Sequence, residues 1–153
     1  MGADFRILVA IDLQNGTDEL LAEAERYARA LNAVVDIIHV APPDPAFVGY
    51  TKTDQFEQHT RDDKARGFRS EHERTQTIAA KLQSNGLRLG HALTVQGPIL
   101  ETILDHARKL DSNLLMLGSH HHNALYRLWY GDAAVDAAKQ APCSLLVVPV
   151  ETR

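Results

Sequence analysis

The chain has 153 residues, of which 44% are hydrophobic and 24% are charged, and its formal net charge is -4 at pH 7. This length and composition predict a single domain over residues 1–153 that folds without a structural metal or a required cofactor. The acidic balance argues against nucleic acid as a partner, and no apolar run is long enough to span a membrane. The single cysteine, Cys143, excludes an internal disulfide and indicates a cytoplasmic protein.

Strands and helices are predicted to alternate along the first part of the chain. The continuous apolar run within residues 5–12 predicts a strand that is buried on both faces. Residues 15–32 begin with a turn and then carry apolar residues at helical spacing, which predicts a helix with one buried stripe. A second strand, rich in β-branched residues, is predicted over residues 34–40.

The pattern changes after the second strand. Residues 42–67 contain three prolines near their start and then a charged stretch with few apolar positions, so their first part is predicted to be a loop. A helix is predicted from about Glu57, with its clearest apolar stripe in residues 71–84, and Asn85 and Gly86 end it.

The second half of the chain again alternates between strands and helices. Glycines and prolines separate its segments, and apolar residues recur within them at strand or helix spacing. The predicted elements are a half-exposed strand over 87–95, a helix over 98–110, a buried strand over 113–118, a short helix over 132–140 and a last strand over 144–150.

This alternation predicts an α/β fold with an open parallel sheet, right-handed crossovers and helices on both faces. In such doubly wound sheets, ligands bind outside the carboxyl ends of the strands, where the strand order reverses. The groups predicted to meet at that edge are Asp12, His39, Val40 and the loop that starts at Gly118.

The segments ILVAID, IIHV and VQGPILETIL, together with the stretch from Leu114 to Val150, resemble the universal stress protein family over nearly the whole chain. The resemblance implies a Rossmann-like sheet of five strands in the order 3-2-1-4-5. It also implies a role in the response to starvation or other stress rather than in one metabolic reaction. One branch of the family binds ATP or AMP, and another branch lacks the binding motif and binds nucleotide poorly.

The motif of the nucleotide-binding branch is Gly, two residues, Gly, nine residues, Gly and then Ser or Thr. Gly118 and Gly131 match the first and third glycines, whereas His121 and Asp132 replace the second glycine and the Ser or Thr. His121 adds a ring where backbone would approach a phosphate. Asp132 brings a carboxylate that repels the phosphate, although a bridging Mg²⁺ would turn the repulsion into coordination. These departures predict weakened binding.

Three further residues complete the candidate nucleotide site. Asp12 matches the acidic residue that contacts the nucleoside in the nucleotide-binding branch, and Val40 matches the residue whose backbone contacts adenine. Ser119 follows Gly118 at the start of the loop and is included as a candidate contact. Each of the two aspartates could have a structural role instead of binding a ligand. Asp12, at a strand end, could hydrogen-bond a neighbouring loop, and Asp132 could be the N-cap of the last helix, since aspartate is a preferred N-cap.

The histidine run from His120 to His122 is the alternative candidate site, because imidazole binds zinc, copper or nickel. Consecutive side chains in an extended segment point in alternating directions, and no spaced Cys or His pair supports a tetrahedral site. We therefore predict no metal site. His39 is predicted to be a structural strand-end histidine, Cys143 a small buried hydrophobe, and no catalytic constellation is present.

The apolar last strand lies at the sheet edge in the implied order, and an unprotected edge invites pairing with another chain. The resemblance also implies a twofold dimer through this edge, so we expect a homodimer.

Three hypotheses follow for the function of the chain. The first is a non-enzymatic stress-response protein that binds adenine nucleotides poorly and acts through an unknown protein partner. The second is an ATP- or AMP-binding switch with slow ATP hydrolysis, in which Mg²⁺ and His121 compensate for the altered motif. The third is a metal-responsive binding module built on the histidine run.

Overall fold

The computed structural model describes residues 2–13, 17–41, 54–119 and 138–150, with side chains in the second helix from residue 65 onward. No helix in these ranges is both long enough and apolar enough to cross a membrane. The strands are β1 (Arg6–Ile11), β2 (Val34–Ala41), β3 (Arg88–Gln96), β4 (Leu114–Gly118) and β5 (Ser144–Val148), and the helices are α1 (Thr17–Leu31), α2 (Asp54–Ser84) and α3 (Ile99–Lys109).

The strands form one five-stranded sheet in the order β3-β2-β1-β4-β5, and all four strand pairs are parallel. The expected fold class and strand order are therefore confirmed. The chain first builds outward from β1 to β2 and β3, and then returns to add β4 and β5 on the other side of β1. The reversal of strand order thus falls between β1 and β4.

The sheet is covered on both faces. Helices α1 and α2 pack on one face, where Ala24, Leu82 and Ile37 belong to one apolar cluster. Helix α3 packs on the other face, where Ile103 and Leu8 belong to a second cluster. Because β1 and β2 lie at the centre of the sheet, they are buried almost throughout, as their unbroken apolar runs predict.

Helix α2 is longer than the sequence predicts. It begins at Asp54 rather than near Glu57, and it continues through Gly67 to Ser84. Gly67 is exposed, and nothing lies within 4 Å of the position that its side chain would occupy. A glycine on a solvent-facing side weakens a helix by only about 1 kcal/mol, which packing of the helix against the sheet can offset.

An ion pair between a buried aspartate and a partly exposed arginine joins β1 to β2, and it was not predicted from the sequence. Asp36 is completely buried, and its two carboxylate oxygens accept hydrogen bonds of 2.7 and 2.8 Å from Nη2 of Arg6. Oδ1 also accepts a hydrogen bond of 2.8 Å from the backbone amide of His91 in β3, where the β2–β3 register shifts. A side chain on Gly90 would collide with this carboxylate, so glycine is required there by close approach.

Candidate functional site

The predicted site residues that the structure describes lie at the carboxyl edge of the sheet. Asp12 directly follows β1, Val40 is the penultimate residue of β2, and Gly118 is the last residue of β4. The last residue of β1 pairs with His39, so Val40 lies one residue beyond the β1–β2 ladder. Asp12 and Gly118 therefore flank the point where the strand order reverses, which is the expected ligand-binding position of this sheet, and Val40 lies on the next strand, β2.

Asp12 lies at the N-terminus of α1. Its Oδ1 atom accepts a hydrogen bond of 3.3 Å from the hydroxyl of Thr17, the first residue of the helix. A carboxylate is favoured at a helix N-terminus by the helix dipole. The next residue, Leu13, has a φ of 63°, which is the left-handed region that a leucine rarely adopts. The chain thus turns sharply just after the candidate ligand-binding carboxylate.

Gly118 and Ser119 have structural roles at the end of β4. Gly118 does not have a positive φ, and a side chain there would come within 3.3 Å of Val150. The amide of Ser119 donates to the carbonyl of Val148 at 3.0 Å, and its hydroxyl accepts from the amide of Val150 at 3.2 Å. Glycine therefore makes room for Val150, and Ser119 fixes the chain beyond β5. A hydroxyl that accepts this bond can still donate its proton to a ligand oxygen.

His39 connects three elements at the same edge. Its side chain is 7% exposed, Nδ1 lies 3.0 Å from the carbonyl oxygen of Ile11, and Nε2 lies 2.8 Å from a carboxylate oxygen of Glu71 on α2. The carbonyl oxygen requires that Nδ1 carry a proton, and the second contact requires one proton shared between Nε2 and the carboxyl group. This geometry agrees with the prediction of a structural strand-end histidine.

A second side chain of α2 reaches the same segment. Nη2 of Arg74 donates a hydrogen bond to the carbonyl oxygen of Leu13. Neither Glu71 nor Arg74 could be singled out from the sequence, because both lie in a charged helix in which nearly every turn carries similar residues. Only the tertiary structure shows which of those charges meet the sheet.

Several predicted residues fall outside the described residues, namely His120, His121, His122, Gly131 and Asp132. Their candidate roles stay predictions. Within the described ranges, no group of three or more His, Cys, Asp or Glu side chains could hold a metal ion. Cys143 is half-buried, and burial raises the pKa of its thiol, which fits an unreactive packing residue.

An open, doubly wound parallel sheet with polar groups at the reversal of strand order defines a class of α/β proteins that bind ligands at that edge. The profile of the universal stress protein family matches residues 5–149, and the chain belongs to this family.

Known relatives cover the chain almost from end to end. Universal stress protein A homolog 1 of Coxiella burnetii (strain RSA 493 / Nine Mile phase I) is 27% identical over 145 residues, which cover 93% of this chain and 94% of the relative. A solved universal stress protein in complex with cAMP has a TM-score of 0.65 at 16% identity and covers 98% of this chain and 100% of its own. The universal stress protein of Archaeoglobus fulgidus in complex with dAMP has a TM-score of 0.56 at 17% identity, with coverage of 96% and 98%.

Proposed function

We propose that the protein is a non-enzymatic stress-response protein of the cytoplasm that binds adenine nucleotides weakly at the carboxyl edge of its sheet and acts through a protein partner. The observation that carries this proposal is the placement of Asp12, Val40 and Gly118 around the reversal of strand order. The altered motif residues His121 and Asp132 support the weak binding, because they bring a side-chain ring and a carboxylate to positions where the motif has a glycine and a hydroxyl donor.

The number of phosphates on the ligand should matter for this site. A carboxylate at position 132 repels each negative charge brought close to it, and ATP carries more of these charges than AMP or cAMP. Two solved relatives of the same fold are described in complex with cAMP and dAMP, both of which have a single phosphate. The site is therefore proposed to prefer a nucleoside monophosphate over ATP when Mg²⁺ is absent.

Calorimetric titration of nucleotide-stripped protein with AMP, cAMP and ATP, with and without Mg²⁺, tests this proposal. We expect AMP or cAMP to bind more tightly than Mg²⁺-free ATP, and Mg²⁺ to narrow the difference because it screens the phosphates. Micromolar binding of ATP without Mg²⁺ would contradict impaired binding. A titration with zinc belongs to the same series, since stoichiometric zinc binding without any nucleotide binding would favour the metal-responsive module.

The second candidate is an ATP- or AMP-binding switch with slow hydrolysis. The nucleotide complexes of the two solved relatives favour it, because the chain shares their fold. Tight Mg²⁺-dependent ATP binding, accompanied by slow release of phosphate from stoichiometric ATP, would establish this candidate instead of the first.

The proposed assembly is a twofold homodimer through the edge strand β5. Among the strands that the structure describes, β5 pairs only with β4, and its Val147 is 38% exposed. An apolar edge strand has backbone groups and side chains that a second copy can cover. Pro149 follows the strand and limits how far such pairing can extend.

Replacement of Val147 by glutamate should convert the dimer into a monomer, because each interface would gain two like charges close to the twofold axis. Size-exclusion chromatography with light scattering measures the change. The matched control is Leu31→Glu, since Leu31 is 44% exposed at the end of α1 and is not on the edge strand. A Val147→Glu chain that keeps the oligomeric state of the control would place the interface elsewhere.

A further inference from the structure

We infer that Glu71 and Arg74 of α2 are positioning residues for Asp12, and that they couple the docking of α2 to ligand binding at the sheet edge. The inference rests on the proposed function, because Asp12 is taken as a ligand contact. It adds a regulatory connection: a change in the position of α2 would change the affinity of the site, and a bound ligand would stabilise α2 on the sheet.

The two side chains hold the backbone on both sides of Asp12. Nη2 of Arg74 donates directly to the carbonyl oxygen of Leu13. Glu71 acts through His39, whose other ring nitrogen lies 3.0 Å from the carbonyl oxygen of Ile11. The residues before and after Asp12 are therefore tied, one directly and one through a histidine, to a single turn of the same helix.

The segment around Asp12 has a conformation that needs such support. Leu13 adopts a φ of 63°, in the left-handed region that strains the backbone of any residue other than glycine. Its side chain is 6% exposed and belongs to the apolar cluster beneath α1 and α2. Burial of the side chain and the hydrogen bond from Arg74 together keep the strained turn in place. This turn and the hydrogen bond from Thr17 then direct the Asp12 side chain.

The part of α2 that supplies these contacts is well anchored. Thr75, which follows Arg74, is completely buried, and its hydroxyl donates to the carbonyl oxygen of Glu71 at 2.9 Å. Leu82, two turns further along, is 4% exposed in the core. Residues 71–84 of α2 can hold the backbone around Asp12 in place because they are themselves packed tightly against the sheet.

Coupling of this kind is reciprocal. If α2 holds Asp12 in the orientation that binds a ligand, then a ligand that contacts Asp12 must stabilise α2 by the same free energy. Slower amide exchange in residues 71–84 on addition of ligand is therefore the expected signature, although the ligand need not touch the helix.

The test uses AMP as the ligand and compares Arg74→Met and Glu71→Ala with two matched variants of the same helix. Arg69→Met removes the same charge from an exposed arginine whose Nε donates within α2, and Glu73→Ala removes an exposed carboxylate. We expect Arg74→Met and Glu71→Ala each to weaken AMP binding roughly threefold to tenfold, as for the loss of one hydrogen bond, and to shift the amide resonances of residues 12 and 13. The control variants should do neither.

Combining Arg74→Met with Asp12→Ala shows whether Arg74 acts by positioning Asp12 or by attracting the ligand directly. In an Asp12→Ala background, Arg74→Met should change AMP affinity less than twofold, because the group that it positions is gone. An equal loss in both backgrounds, or unmoved amides in folded variants, would overturn the inference. If the unsubstituted chain binds no AMP, the proposed function fails, and the amide shifts alone then decide whether α2 controls the Asp12 segment.

Discussion

Replacement of Arg6 by methionine should lower the free energy of unfolding by about 3 kcal/mol, the lower end of the range measured when one partner of a buried ion pair is removed, because the Arg6 side chain keeps 25% of its surface exposed. Asp36 has no exposed surface, and Arg6 supplies its only charged partner in the described residues. Methionine would fill most of the space but would leave a buried carboxylate without its cation. Urea unfolding at pH 7, followed by circular dichroism, measures the loss.

The matched control for this change is Arg88→Met. Arg88 pairs with Asp4 at 2.8 Å, but both side chains are about half exposed, and such pairs contribute about 1 kcal/mol or less. Equal losses in the two variants would show that burial adds nothing to the Arg6–Asp36 pair. A combined Arg6→Met and Asp36→Leu chain should recover much of the stability and still lack about 1–2 kcal/mol, because the His91 amide loses its acceptor.

Replacement of Asp132 by serine, together with His121→Gly, should tighten ATP binding by about fivefold to several hundredfold. Two like charges about 4 Å apart repel by about 1 kcal/mol in water and about 4 kcal/mol at an effective dielectric constant near 20, which gives this range. Serine also supplies a hydroxyl donor, and glycine allows the backbone to approach a phosphate. Calorimetric titration with ATP measures the change.

The control for the restored motif must remove the same charge without changing a motif position. Asp136→Ser removes a carboxylate four residues after Asp132. His122→Gly replaces the histidine next to His121. The gain should be larger for ATP than for AMP, because ATP carries more charge. An equal gain from the control pair, or no gain from the restored pair, would show that the motif was aligned wrongly to this sequence.

The fold could be predicted from the sequence because its signals are local and repeated. The buried runs of β1, β2 and β4 and the helical stripes of α1 and α3 each predict their element, and their alternation predicts the parallel sheet. The order of the strands came from the family resemblance rather than from the periodicity. The extent of α2 was underestimated, since a polar helix with a glycine has a weak periodic signal.

The site was predictable only in part, for a physical reason. Asp12 and Val40 stand at strand ends, and the ends of parallel strands meet wherever the sheet forms. The contacts of Glu71 and Arg74 depend instead on how a long helix rotates and slides on the sheet, which no local pattern specifies. Asp36 did carry a local signal, since a charge inside an otherwise apolar buried strand requires a partner, but nothing in the sequence identifies Arg6 as that partner.

The strand order also has a consequence for the chain as it leaves the ribosome. One edge of β1 is covered by β2 early, but the other edge is covered only by β4, and the pairing of Arg6 with Asn113 spans 107 residues. At synthesis rates of roughly 5–20 residues per second, one edge of the apolar strand β1 stays unpaired for roughly 5–20 seconds, until β4 has been synthesised. Such an edge is a template for pairing with other nascent chains. The order of the strands therefore leaves β1 open to pairing with other nascent chains until β4 has been synthesised.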